Sequence, residues 1–206
     1  MKALVVLSGG LDSSTALYWA KKEYTEVEAL TFNYGSKHND IEYSYAEKQC
    51  AKLGVKLTRI NLDFMNTYFK SDLLKSGGEI PEGYYNEENM KSTVVPFRNG
   101  IMLSIAAGFA ESNDCEAIIL GNHSGDHAIY PDCRPEFIEG IKKAIYEGTE
   151  KHIEVISPFC NMSKTDIVSL GAELGVDFSL TYSYFTNRNR LRRCSFCYLC
   201  SLHHAP

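Results

Sequence analysis

The sequence lacks most of the features that would assign it at a glance. No apolar stretch in its 206 residues approaches the ~18 needed to cross a bilayer. The start has no signal-peptide core either, because Met1-Lys2 leads into a short apolar run and then glycines. No long basic run is present and the net charge is −5, so a nucleic-acid groove is not suggested. Internal repeats and low-complexity tracts are absent. The seven cysteines are an odd number, and Cys50, Cys115, Cys133 and Cys160 are scattered. Without a secretory signal, that usage points to reduced thiols in a cytoplasm rather than to a disulfide framework.

What remains is 44% apolar and 23% charged, an ordinary globular balance, at a length that suits one domain with a small appendage. Apolar β-rich runs at 3–7, 27–34, 55–62, 116–121 and 153–158 read as strands. Helical patterns fall at 12–22, 39–53, 99–110, 135–147 and 163–174. Ala16, Leu17 and Ala20 share one face of the first helix, and Ile41, Tyr45, Ala46 and Leu53 are expected to point inward from the second. Ser163 with Asp166 is a capping-box pattern at the start of the last. This alternation predicts a five-stranded, mostly parallel α/β sheet with helices on both faces. Residues 63–97 read as a loop-rich lid or insertion, and 181–206 as a separate cysteine-rich tail on a 1–180 domain.

Ligands of such sheets sit at the carboxyl ends of the strands. There, "LSGGLDSS" (7–14) places a Ser-Gly-Gly turn between the first strand and its helix. Backbone N–H groups of such a turn converge on a phosphate, and the helix adds the positive end of its dipole. No lysine follows the glycines and a third glycine is missing, which excludes the two commonest nucleotide-loop patterns. Asp12 would repel phosphates unless a divalent cation lay between them, so it points to Mg²⁺. The alternative is a plain turn in which Asp12 or Ser13 caps the helix.

The stretch "SGGLDSS" resembles the loop of the PP-loop ATPases, which adenylate a substrate with ATP. "FNYGSKH" (32–38), "STVVPFRN" (92–99), "GDHAIYPDCRPEF" (125–137) and "SPFCNMSKTDI" (157–167) narrow the resemblance to the QueC family of 7-cyano-7-deazaguanine synthases. It covers the chain from about residue 3 to 180. It implies a Rossmann-like, adenine nucleotide alpha-hydrolase-like fold and a homodimer. It also implies a ligase joining 7-carboxy-7-deazaguanine and ammonia, at the expense of ATP, into the 7-nitrile.

The resemblance implies an ATP site at Leu7, Ser8, Gly9, Gly10, Asp12, Ser13 and Ser14. Phe32, Asn33 and Tyr34, at the end of the second strand, would meet adenine or simply pack on the core. Arg98 opens a helix after Pro96, where its fork could grip phosphate or carboxylate. Lys164 sits in a first helical turn, a place that disfavours a cation unless an anion is bound. Catalysis would rest on Asp12, Arg98 and Lys164 through positioning and charge neutralisation. Arg98, Tyr130, Asp132 and Arg134 would bind the substrate, with Asp132 accepting from the N–H edge of the deazaguanine ring and Tyr130 stacking on it. Pro131-Asp132 is equally a common turn pair. Cys133 reads as a buried structural cysteine, and His38, His123 and His127 as proton shuttles or ordinary histidines.

The tail departs from the family. Cys194, Cys197 and Cys200 keep C-x₂-C-x₂-C spacing, which suits Zn²⁺. The family's fourth cysteine, some ten residues upstream, is Tyr184 here. His203, His204 or a water is then the candidate fourth ligand, with a metal-free tail and an iron–sulfur cluster as the alternatives. Two further readings stand beside the ligase: another PP-loop chemistry such as tRNA base thiolation, and a nucleotide-binding relative whose altered tail serves a protein partner.

Overall fold

The computed structural model describes residues 1–80, 91–123 and 130–182. Five strands, β1 (Lys2–Val6), β2 (Glu26–Asn33), β3 (Lys56–Asn61), β4 (Ala117–Ile119) and β5 (Glu154–Ile156), pair in the order β3-β2-β1-β4-β5. Every pairing is parallel. This is the five-stranded parallel sheet that the alternation predicts, in the Rossmann-like form that the resemblance implies, and no described helix is long and apolar enough to cross a membrane.

Side chains leave successive strand positions on opposite faces. On one face Ala3, Val5, Ala117 and Ile119 meet α1 (Leu11–Glu23), α2 (Asn39–Leu53) and α6 (Lys164–Glu173). On the other, Leu4, Leu30 and Ile118 meet α3 (Asp63–Tyr68), α4 (Arg98–Ser112) and α5 (Pro135–Gly148). The chain therefore crosses on one face from β1 outward through β2 to β3, and on the other from β3 through β4 to β5. The reversal falls between β1 and β4, where doubly wound sheets open a crevice.

Two expectations need correcting. Ile41, read as inward, is 42% exposed: it lies in the first turn of α2, ahead of the part of the helix where Ala46 and Cys50 seat on the sheet. Residues 63–97 are not loop throughout, since α3 forms with Met65 buried. Leu74 is fully buried, and the Lys75 N–H donates to the Gly35 carbonyl at 2.8 Å, so this part of the expected lid packs on the turn after β2.

Asp132 also takes a different place from the one expected. It lies in a 3₁₀ turn (Pro131–Cys133), and its carboxylate accepts the backbone N–H of Asn99 at 2.7 Å. The Asn99 side chain donates in return to the Asp132 carbonyl (3.4 Å) and to Cys133 Sγ (3.0 Å). The N–H groups of a helix's first turn have no partner within the helix. Asp132 supplies one from 33 residues away.

The last described segment returns to the glycine turn. Gln49, buried on α2, donates to the carbonyls of Asp177 (3.1 Å) and Leu180 (3.0 Å) and accepts from the Tyr18 hydroxyl (3.2 Å). That clamp sets the 3₁₀ turn Phe178–Leu180, after which the Tyr182 N–H donates to the Gly9 carbonyl at 2.9 Å.

Two stability predictions follow from the caps. The capping box forms as the sequence predicts, with Ser163 and Asp166 exchanging hydrogen bonds at the start of α6. Ser163→Ala should cost about 1 kcal/mol in urea unfolding. Asp132→Ala should cost about 1–2 kcal/mol, and Asp132→Asn less than half of that, because an amide oxygen still accepts from Asn99. Equal losses for the two Asp132 variants would contradict the capping role.

Candidate active site

A cavity of about 340 Å³ opens at the carboxyl ends of β1, β2 and β4, at the reversal point. One wall is the turn between β1 and α1. Gly9 has φ +82°, which glycine adopts without strain, and a Cβ there would lie 2.4 Å from the Glu42 carbonyl. Gly10 ends the turn, and no side chain caps the start of α1. Ser13 Oγ instead donates to the Gly10 carbonyl (3.2 Å) and accepts the Ser8 N–H (3.2 Å). Asp12 is therefore not a cap, and the start of α1 opens on the cavity, an arrangement suited to an anion.

Asp12 binds Lys164 through Oδ2, and the His123 ring nitrogen lies 3.9 Å from the same oxygen. Its other oxygen, Oδ1, is buried without a partner among the described residues. Both side-chain polar atoms of Asn122, which lines the same cavity, are also buried and unpartnered, as are the hydroxyls of Ser14 and Ser157. Buried polar groups are nearly always paired, so the two that line the cavity, Asp12 and Asn122, fit a polar ligand that completes them. In particular, an unused, buried carboxylate oxygen beside a phosphate-type turn fits a divalent cation. Lys164, in the first turn of α6, has an anion near it in Asp12.

The opposite wall comes from β2, α2 and α4. Phe97 adopts φ +52°, an uncommon value for a bulky residue, and the chain turns there so that Arg98 opens α4. The Arg98 guanidinium donates to the Tyr34 hydroxyl (3.3 Å) and lies 5.7 Å from the Tyr34 ring and 5.9 Å from the Tyr130 ring. Burial works against its charge, but Tyr34, Tyr130 and Asp132 outweigh that and push its pKa up. Arg98 stays a cation. Glu42, in the first turn of α2, also lines the cavity. Burial pushes its carboxyl above the usual range, against the opposing pull of Arg98.

The sequence-derived residues divide cleanly. Leu7, Ser8, Gly10, Asp12, Ser13, Phe32, Tyr34, Arg98 and Tyr130 line the cavity, and Lys164 reaches it through Asp12. Gly9 and Ser14 lie behind the wall. Asn33 pairs with Asn61 (3.0 Å), Asp132 holds α4, and Arg134 is exposed, so none of these three lines the cavity. His38 packs 6.3 Å from the Tyr182 ring, and burial first, then Lys37, lowers its pKa. His127, Cys194, Cys197, Cys200, His203 and His204 lie outside the described residues. The sequence reading missed Glu42, Asn99 and Asn122. Asn122 follows the last residues of β4 and could have been found from the rule that sites gather at strand ends. Glu42 reads in the sequence as an acid complementing a helix dipole.

The chain has known relatives. The model of the family described as "Queuosine biosynthesis protein QueC" matches residues 2–205. A 7-cyano-7-deazaguanine synthase of Porphyromonas gingivalis is 50% identical over 198 residues, covering 96% of this chain and 88% of the relative. One from Desulfotalea psychrophila is 47% identical, covering 96% and 90%. Among solved structures, the U34-tRNA thiolase NcsA of Methanococcus maripaludis is similar with TM-score 0.57 at 16% identity, over 93% of this chain and 62% of that one. The NH3-dependent NAD synthetase of Campylobacter jejuni gives TM-score 0.52 at 17% identity, over 89% and 69%. At these identities the two structures speak for the fold alone. The fold is that of the PP-loop ATPases, and the chain belongs to the QueC family.

Proposed function

We propose that this chain is an ATP-dependent carbon–nitrogen ligase that makes 7-cyano-7-deazaguanine from 7-carboxy-7-deazaguanine and ammonia, within queuosine biosynthesis. The observation that carries the reading is the two-sided cavity. An open helix start with an unpartnered Asp12 oxygen faces a wall of Arg98, Tyr34 and Tyr130. Kinship at 50% identity with a synthase of that name supports it.

A carboxylate is inert to ammonia until one of its oxygens becomes a leaving group. Transfer of AMP to that oxygen releases pyrophosphate, and ammonia then displaces AMP to give the amide. A second AMP transfer to the amide oxygen, followed by loss of AMP and a proton, leaves the nitrile. The chain's part is to bind, orient and neutralise. The Ser8–Gly10 turn and the start of α1 receive the phosphates, with Lys164 beside them. Mg²⁺, when bound at Asp12, would lower the repulsion between that carboxylate and the phosphates. Phe32 and Tyr34 supply apolar and aromatic surface at the end of β2 for the adenine. Arg98 holds the carboxylate that reacts, with its fork aimed by Tyr34.

The same proposal takes residues 1–180 as the catalytic unit and 181–206 as a tail that holds one Zn²⁺ through Cys194, Cys197, Cys200 and His203. Three soft thiolates favour zinc over harder cations, and a neutral imidazole can complete the set. A cytoplasmic homodimer, with small-molecule substrates and no direct contact with nucleic acid or membrane, completes the reading.

Incubation of the purified protein with ATP, Mg²⁺, ammonium and 7-carboxy-7-deazaguanine should yield the nitrile by mass spectrometry. Asp12→Asn should abolish turnover with an unchanged circular dichroism spectrum, and near-normal activity of that variant at saturating Mg²⁺ would remove Asp12 from the mechanism. Metal analysis of protein prepared without chelator should find one zinc per chain, lost in Cys197→Ser. Free thiols and no zinc in the parent protein would refute the tail assignment.

A further inference from the structure

With Asp132 holding the start of α4 through one oxygen and absent from the cavity lining, another cavity group is better placed to recognise the heterocycle. Among the described residues three charged side chains line the cavity: Asp12, Arg98 and Glu42. Asp12 faces the glycine turn and is engaged by Lys164. Arg98 is a donor and cannot accept a hydrogen bond. Glu42 is therefore the carboxylate left on the Arg98–Tyr34–Tyr130 side.

Its backbone is held firmly. The Glu42 N–H donates to the His38 carbonyl at 2.9 Å, and its own carbonyl lies against Gly9 with no room for a methyl group. Its side chain accepts no hydrogen bond from any described residue, although the Arg98 charge is near enough to act on it. The side chain is half-buried and lines the cavity, so its carboxylate is open to a ligand that brings donors.

We infer that Glu42 reads the ring of the substrate, an assignment that rests on the function proposed above. One edge of a deazaguanine carries a ring N–H beside an exocyclic amino group, two adjacent donors. A carboxylate offers two adjacent acceptors, the complementary pattern, and charge strengthens both bonds. Adenine presents a donor beside an acceptor on the corresponding edge, and a carboxylate would repel the second. Glu42 thus selects the acid over ATP at this wall and leaves adenine to the end of β2. Tyr130 lies on the same wall, where its ring can cover the heterocycle's face.

The test compares the parent protein with Glu42→Gln on two substrates: 7-carboxy-7-deazaguanine and its analogue lacking the exocyclic amino group. The parent should prefer the natural acid by about 10²-fold in kcat/KM, and Glu42→Gln should raise KM for that acid about 10²-fold while KM for ATP stays within about threefold. The variant should also lose most of the preference, because an amide meets one of the two donors with a donor of its own. Glu42→Asp, which keeps the carboxylate, should retain the preference at reduced affinity and guards against a variant that merely folds badly. A rise in KM for ATP, a fall in kcat alone, or undiminished preference in Glu42→Gln overturns the assignment while the proposed reaction stands. A parent protein that neither binds nor converts the acid overturns both.

Discussion

Gly9 and Gly121 allow three backbone segments to meet, at a distance that a side chain would forbid at Gly9 and would strain at Gly121. A Cβ on Gly9 would strike α2 at the Glu42 carbonyl, and one on Gly121 would sit 3.0 Å from the Asp12 backbone carbonyl. Through these contacts the end of β1, the start of α1, the first turn of α2 and the end of β4 form one closely packed rim. Ser8, Asp12, Glu42 and Asn122 owe their positions to it. Close packing of this kind has little slack, so a methyl group at Gly9 would displace the start of α2 rather than a single side chain, and one at Gly121 would press on the start of α1.

The rim also gathers the polar groups that the fold leaves unsatisfied. Asp12, Ser14, Asn122 and Ser157 contribute all of the buried side-chain atoms without partners among the described residues, and all lie at or just behind the carboxyl ends of β1, β4 and β5. The rest of the interior pairs its polar groups in the ordinary way, as Gln49 does with three partners. The protein thus gives up stability in one place, where a charged ligand can restore it, a familiar exchange between stability and activity.

Much of this was legible in the sequence because it is local. The strand runs, the helical periods and the capping box at Ser163 each depend on residues a few positions apart, and the glycine turn announces a strand-end site. What escaped was set by distance along the chain. Asp132 sits in a motif suggestive of ligand contact, but its partner is the backbone of Asn99, 33 residues away. Helix α3 has six residues and buries only Met65, too little for a period to register. Ile41 belongs to a good amphipathic pattern that starts before the helix reaches the sheet. Glu42 looks like any acid in a first helical turn until Arg98 and Tyr130 are brought opposite it.

The hydrogen bond from Tyr182 to Gly9 has a practical side. It ties the last described residue to the glycine turn, so a load applied at Tyr182 is delivered to the rim of the cavity. Met1 is 69% exposed and lies at the amino end of β1, the central strand, at the opposite end of the sheet from the glycine turn. Affinity handles, fluorescent labels and surface tethers belong at that end, where a pull is borne by the strands and not by the turn.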